Sequence, residues 1–406
     1  MITIKKPHIE IRDKSHYLIS EISCDSENIN EEIWYKAAEE YADYLVDEVA
    51  DAFVLPMLLV ALRNQEDIKV EAPISEKLYY NIKNNILYTL SIPQHVGHKI
   101  KVDCEGCIAP SFQPTAVGCG CSLGVDSFSA MIGHMSKDCP EGFRITHLTN
   151  FNVGAYGNDF EKTEQFFLDA LPDVRKYAQE KGLPLVLLES NFGLFFEGVN
   201  FNWCGPIRTM SAVLALQKLF KRYYYASGST NEDFQYTDTM CEFASLIIPM
   251  FSTENTEFIV ADQDKTRIEK TAAIVDNLDA QHYLDVCWKR IKANRGDTHY
   301  LQYPYKNCTR CSKCQRTLLT IDILGYTDKF KEIFDVEYFK RNRDDIIRNY
   351  IARKDENHYF QEVYQLMIDK GYPIPKERKK KKIKIFFRSF LNAINKKIKR
   401  LFISVF

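Results

Sequence analysis

The sequence predicts an α/β architecture with a parallel sheet, and three observations carry the prediction. From Thr115 onward, short apolar runs alternate with longer amphipathic stretches. That order is what parallel strands joined by crossover helices produce. A glycine-containing turn follows the first of these strands and opens a helix. The chain has 406 residues, 45% hydrophobic and 27% charged, an ordinary globular composition and length enough for two or three domains of ~100–200 residues.

Residues 1–114 read as an N-terminal α/β accessory domain. Ile9–Arg12 and Tyr17–Ser20 are predicted strands, the first by alternation. Ile33, Trp34, Ala37, Tyr41, Leu45 and Val49 have helical spacing and predict a helix within 31–50. Ile68–Ala72 and Lys99–Val102 are further strand candidates. The pattern over 115–330 is a second domain: strand Thr115–Gly120, helix Asp126–Met135, strand Phe143–Thr149, helix Phe160–Lys181, strand Leu183–Leu188, helix Ile207–Phe220 and strand Tyr223–Ser227. Residues 331–375 form a charged helical extension, and 376–406 a basic amphipathic tail. In parallel sheets ligands sit beyond the carboxyl ends of the strands, which places Cys119–Ser127, Asn150–Asn152 and Ser227–Thr230 on one edge.

The informative stretch is Gly120 to Ser127. Successive backbone N–H groups in such a turn make a concave anion site, and the helix N-terminus adds partial positive charge. Ser122 and Ser127 add hydroxyl donors. Asp126 either caps the helix or holds a cation beside a phosphate. A Walker loop is excluded because no lysine follows Gly124, and Gly118, Gly120 and Gly124 miss the dinucleotide spacing by one residue.

Cys308, Cys311 and Cys314 form C-x2-C-x2-C. Three thiolates this close suit a soft cation, and structural zinc takes four ligands. Cys287 is the best candidate for the fourth. An iron–sulfur cluster and unliganded thiols are the alternatives. Lys306, Arg310, Lys313 and Arg316 are expected to surround the site and favour thiolates. Cys119 and Cys121 read as buried strand residues rather than a second metal site with Cys104 and Cys107.

Two further groups are weaker. Ser227 and Gly228 end a strand and either face a nucleotide or form a tight turn. Arg267 and Lys270 share a helix face and either bind phosphate or a carboxylate, or are solvated.

Ser122, Gly124, Asp126 and Ser127 resemble the PP-loop motif Ser-Gly-Gly-x-Asp-Ser of the N-type ATP pyrophosphatases, with Leu123 standing at a glycine of that motif. With the late cysteine cluster, Thr115 to Gly325 resembles 7-cyano-7-deazaguanine synthase and its relatives, in a longer and divergent form. The resemblance implies an adenine nucleotide α-hydrolase-like fold, with ATP, Mg2+ and Zn2+ as cofactors. It implies adenylation of a carboxylic acid, release of pyrophosphate, and amidation by an ammonia donor. Ser122, Asp126 and Ser127 would be catalytic, and Ser122, Leu123, Gly124, Val125, Asp126, Ser127, Ser227, Gly228, Arg267 and Lys270 would contact the nucleotide. Sulfur transfer to tRNA and a nucleotide-binding accessory protein without turnover are the competing readings, the latter resting on Leu123.

The net charge of −2 is unevenly placed. Residues 376–406 carry +11, which leaves −13 on the rest, a balance that disfavours nucleic acid on the body. Residues 383–406 show apolar positions three and four apart opposite lysines and arginines, the pattern of a helix lying on an anionic membrane. Nucleic-acid contact and docking on the acidic body or on a second subunit of a homo-oligomer are the alternatives. The longest apolar run, Ala52 to Leu62, has eleven residues where a spanning helix needs ~20. No secretory signal is visible, so a cytoplasmic protein, peripheral to the inner membrane face, is expected.

Overall fold

The computed structural model describes residues 1–294 and 296–376; the amphipathic pattern at 383–406 lies outside them. The chain divides into two units, Met1–Phe339 and Lys340–Phe406.

The first unit is α/β. Its strands are β1 (Ile2–Ile4), β2 (His8–Arg12), β3 (Ser15–Cys24), β4 (Ile29–Ala37), β5 (Ile68–Ser75), β6 (Val102–Ile108), β7 (Ala116–Gly120), β8 (His147–Asn152), β9 (Leu185–Ser190), β10 (Phe220–Ala226) and β11 (Glu257–Ala261). They join one sheet in the order β11-β10-β7-β8-β9-β4-β3-β1-β5-β6, with β2 paired to β3. The five strands from β11 to β9 are all mutually parallel. β4 attaches antiparallel to β9, with Tyr35 opposite Ser190, so the strands of 1–114 extend the sheet of 115–330. The connection leaves β7 for β8 and β9 on one side, then returns to β10 and β11 on the other. The strand order therefore reverses at β7, and the crevice at a parallel sheet's reversal is where ligands bind.

Helices cover both faces. Val125–Met135, Phe160–Lys181 and Arg267–Ile274 follow their strands, the second capped by Asp159, whose carboxylate accepts from the Lys162 amide. Asp51–Asn64 and Phe201–Leu214 pack together on the other face. The helix Asp51–Asn64 is buried from Asp51 to Leu62. Pro56 in its interior lacks the N–H that would bond the Ala52 carbonyl. That carbonyl instead accepts from the Tyr35 hydroxyl at 3.0 Å and the Ser211 hydroxyl at 2.7 Å. A proline that would break an exposed helix is thus accommodated by its neighbours.

Several predicted bounds move. The helix expected within 31–50 is absent: Ile29–Ala37 is strand β4, followed by the short turn Glu39–Tyr44. Ile33, Tyr35 and Ala37 are buried while Trp34 and Lys36 are half-buried. This period of two lay inside a set that also fitted a period of 3.6. The strand expected from Phe143 starts at His147, because Glu141–Phe143 is a tight turn. The strand expected at 99–102 starts at Val102. The helix expected over 207–220 spans Phe201–Leu214, its start fixed by Asn200, whose side chain accepts from the Asn202 amide.

The second unit holds most of the helix Val336–Ala352 and the helix His358–Asp369. Tyr350 packs on Phe360 with ring centroids 4.9 Å apart, and the Arg343 guanidinium donates to the Tyr372 hydroxyl at 2.8 Å. Among the described residues no helix is long and apolar enough to cross a membrane.

Candidate functional site: a strand-to-helix turn beside a four-cysteine centre

The turn after β7 lies at the carboxyl edge where the strand order reverses. The Cys121 amide donates to the Thr149 carbonyl at 2.7 Å, and the Asn150 side-chain amide donates to the Cys121 carbonyl at 3.0 Å, so β8 holds the entrance of the turn. Leu123 takes the left-handed conformation at φ 57°, the backbone that glycine adopts without penalty. A side chain there costs ~1–2 kcal/mol. Leu123 offsets the cost by burial, being 2% exposed. Gly124 then leads into the helix. The Phe128 amide closes the first helical bond on the Gly124 carbonyl at 3.0 Å, while the amides of Val125, Asp126 and Ser127 find no acceptor among the described residues. Three such N–H groups at one helix end attract an anion. Ser122 is exposed, and its hydroxyl donates to that of Ser127 at 3.2 Å.

Asp126 does not cap this helix. One of its carboxylate oxygens pairs with the Arg267 guanidinium at 2.8 Å, and the other is buried with no hydrogen-bond partner. Arg267 and Lys270 sit on the helix Arg267–Ile274, which opens with a reciprocal cap between Thr266 and Glu269. Lys270 is fully buried, donates to the Ser227 carbonyl at 2.8 Å, and has its pKa lowered by burial against the opposing pull of Asp126. The solvated basic face is thereby overturned: both cations turn inward. Ser227 and Gly228 form a turn closed on itself, with the Ser227 hydroxyl donating to the Ser229 carbonyl at 3.0 Å. The ends of β7 and β10 therefore meet through Asp126, Arg267 and Lys270.

Cys287, Cys308, Cys311 and Cys314 come together with all four sulfurs within 4.8 Å of one another, the last three buried. This group can hold a metal ion. The Cys308 amide points at the Cys287 sulfur (3.4 Å), the Cys311 amide at Cys308 (3.3 Å) and the Cys314 amide at Cys311 (3.5 Å), and donors of this kind favour thiolates. The Cys308 thiol is drawn down to about 7, chiefly by its hydrogen bond from Cys287, and Cys311 is lowered further for the same reason. Cys314 is pushed up by burial and by its neighbours. Four sulfurs this close cannot all ionise until a cation neutralises them.

Of the cations expected around the centre, Arg310 reaches it directly: it donates to the Cys308 carbonyl at 2.8 Å while pairing with Asp335 at 2.8 Å between the rings of Tyr303 and Tyr338. Lys306 pairs with Asp173 at 2.9 Å. Lys313 lies over Trp288, its amine 5.0 Å from the ring centre, and burial first, then Arg267, depress its pKa to about 8. Lys313 thus sits within the field of Arg267 and Asp126, a position that the linear sequence did not indicate.

Cys119 and Cys121 are buried at β7, whereas Cys104 and Cys107 lie on β6 at the opposite end of the sheet; they form no joint site. Arg208 is a residue that sequence reasoning missed. It is 2% exposed, bonds the Asn158 side chain at 2.7 Å, and has an Nε with no partner. The single charged residue in the stretch Phe201–Leu214 was the available signal. Two open depressions, of about 590 and 680 Å3, are lined by neither the turn nor the four-cysteine centre.

Comparison with family models, with curated proteins and with solved structures finds no match.

Proposed function

We propose that the protein is an ATP-dependent, AMP-forming enzyme of the PP-loop type that activates a carboxylic acid for amidation. The observation that carries this reading is the left-handed turn at Leu123. It retains the backbone shape that the motif's glycine would supply, and it presents the amides of Val125, Asp126 and Ser127 at the sheet's reversal point. Leu123 thus takes a backbone that glycine adopts without penalty, which weakens the reading of an accessory protein without turnover.

The chemistry asks for charge neutralisation and alignment rather than a nucleophilic side chain. A carboxylate oxygen of the acid attacks the α-phosphorus of ATP. The bond from that phosphorus to the bridging oxygen breaks, and pyrophosphate leaves. Ammonia then attacks the acyl carbon, and AMP departs with the transferred oxygen. In this scheme the turn's amides, with the Ser122 and Ser127 hydroxyls, hold the departing pyrophosphate. Arg267 and Lys313 add positive charge beside it. Lys270 fixes the Ser227–Gly228 turn rather than touching the nucleotide. The unpartnered oxygen of Asp126 would hold a magnesium ion, which would supply positive charge beside the phosphates. At the cysteines we assign zinc, because four sulfurs with no other ligand type match its structural sites.

The test is incubation of the protein with ATP, magnesium, ammonium and a panel of small carboxylic acids. AMP and pyrophosphate in equal amounts, dependent on one acid, are expected. ADP and phosphate as products would reject adenylation.

A further inference from the structure

The four-cysteine centre and the phosphate turn are connected by a short run of hydrogen bonds that the proposed chemistry does not use. Leu123 in its left-handed conformation offers its carbonyl to the Asp285 amide at 2.8 Å. Asp285 belongs to Leu284–Val286, a segment lying directly before Cys287. Both residues flanking Asp285 are clamped by one side chain. The Asn307 amide nitrogen donates to the Leu284 carbonyl at 2.8 Å, and its amide oxygen accepts from the Val286 N–H at 2.9 Å. Asn307 is itself fully buried, and it directly precedes Cys308. The two ends of this clamp, Cys287 and Cys308, are both members of the sulfur group, with the Cys308 amide pointing at the Cys287 sulfur.

We propose that metal at the four cysteines and anion at the phosphate turn are linked: the metal ties Cys287 to Cys308, Asn307 carries that constraint to Asp285, and Asp285 holds Leu123 left-handed. Asn307 is on this account a positioning residue for anion binding. A strained backbone conformation persists only where its surroundings over-determine it, and the Asp285 bond is the contact that reaches the Leu123 carbonyl. Linkage between two sites is a free energy shared by both ligands. The identity of the anion rests on the adenylation reading; the linkage itself does not.

The experiment uses the whole chain in three forms: metal-loaded wild type, wild type stripped by a chelator and freed of it, and metal-loaded Asn307→Ala, which keeps all four cysteines. Metal content and far-ultraviolet circular dichroism are recorded for each. Inorganic pyrophosphate binding in magnesium buffer is then measured by calorimetry, and hydrogen exchange is followed over residues 121–128 and over β8. In both the stripped and the Asn307→Ala forms, pyrophosphate affinity falls about tenfold and exchange over 121–128 quickens while β8 stays protected. Unchanged exchange over 121–128 in both forms overturns the proposal, as does a wild type that takes up no metal. Should stripping unfold the chain, the Asn307→Ala form alone decides. Pyrophosphate affinity unchanged in both forms likewise overturns the linkage, whereas a tenfold loss of pyrophosphate affinity in a protein that forms no AMP from ATP would keep the linkage and discard the adenylation reading.

Discussion

Leu123 shows how one residue meets two opposed demands. Its φ of 57° is a conformation that a branched side chain resists, and its burial at 2% exposure supplies the compensation. The substitution Leu123→Gly separates the two terms. It relieves ~1–2 kcal/mol of backbone strain and loses the ~2–5 kcal/mol typical of truncating a buried leucine. Urea unfolding should therefore show a net loss of about 0–4 kcal/mol; a loss at or beyond the top of the truncation range would mean that the left-handed turn carries no strain. The residue type at this position was legible in the sequence, but its backbone angle was not, because only the Asp285 amide and the packing around the side chain make that angle tolerable. Arg267 and Lys270 teach the same lesson. Their shared helix face was readable from spacing three apart. That the face turns inward, onto Asp126 and Ser227, depended on residues more than forty positions away.

Among the elements, the helix Asp51–Asn64 was visible as an apolar run, but not the polar network that seats its first turn. The Asp51 carboxylate accepts from the Ser75 amide at 2.8 Å, the Ser75 hydroxyl, and the Gln217 side chain at 2.8 Å, and Gln217 in turn accepts from Thr253 at 2.7 Å. Burial raises the Asp51 pKa, opposed by the bonds from Ser75 and Gln217. A raised carboxyl pKa means the native state binds the proton more tightly than the unfolded chain. Its contribution to stability is complete below the ordinary value of 3.8 and is lost as pH climbs through the raised native value. Denaturation of wild type and Asp51→Asn from below pH 3.8 upward checks this: wild type should lose ground to the variant as pH rises past 3.8, whereas parallel curves throughout would show that the Asp51 pKa is not raised by folding. Asp51→Ala should cost ~2–4 kcal/mol, because it strands several buried donors at once. Element types were readable wherever one period dominated, as in Phe160–Lys181, whose bounds match the expectation. At β4 two periods coexisted in Ile33, Tyr35 and Ala37, and pairing with β3 and β9 decided between them.

For the molecule as a whole, strand–helix alternation from Thr115 gave the α/β class, and the turn and the cysteines were both legible as local spacing. Cys287, expected as the fourth sulfur from the sequence, does close on the cluster twenty-one residues downstream. What spacing cannot express is that a sheet running β9-β8-β7-β10-β11 brings the ends of β7 and β10 together, a consequence of strand order that sets Ser122–Ser127 beside the Asp126–Arg267 pair. The central claim is that this region grips the phosphates of ATP. It is tested most directly by titrating the nitrogen-15-labelled protein with magnesium ATP while following its backbone amides. The resonances of Val125, Asp126 and Ser127 should move first and farthest, with AMP alone producing a much smaller effect and Arg267→Ala needing more ATP for the same change. Shifts confined to other parts of the chain, or none at saturating nucleotide, would contradict the account.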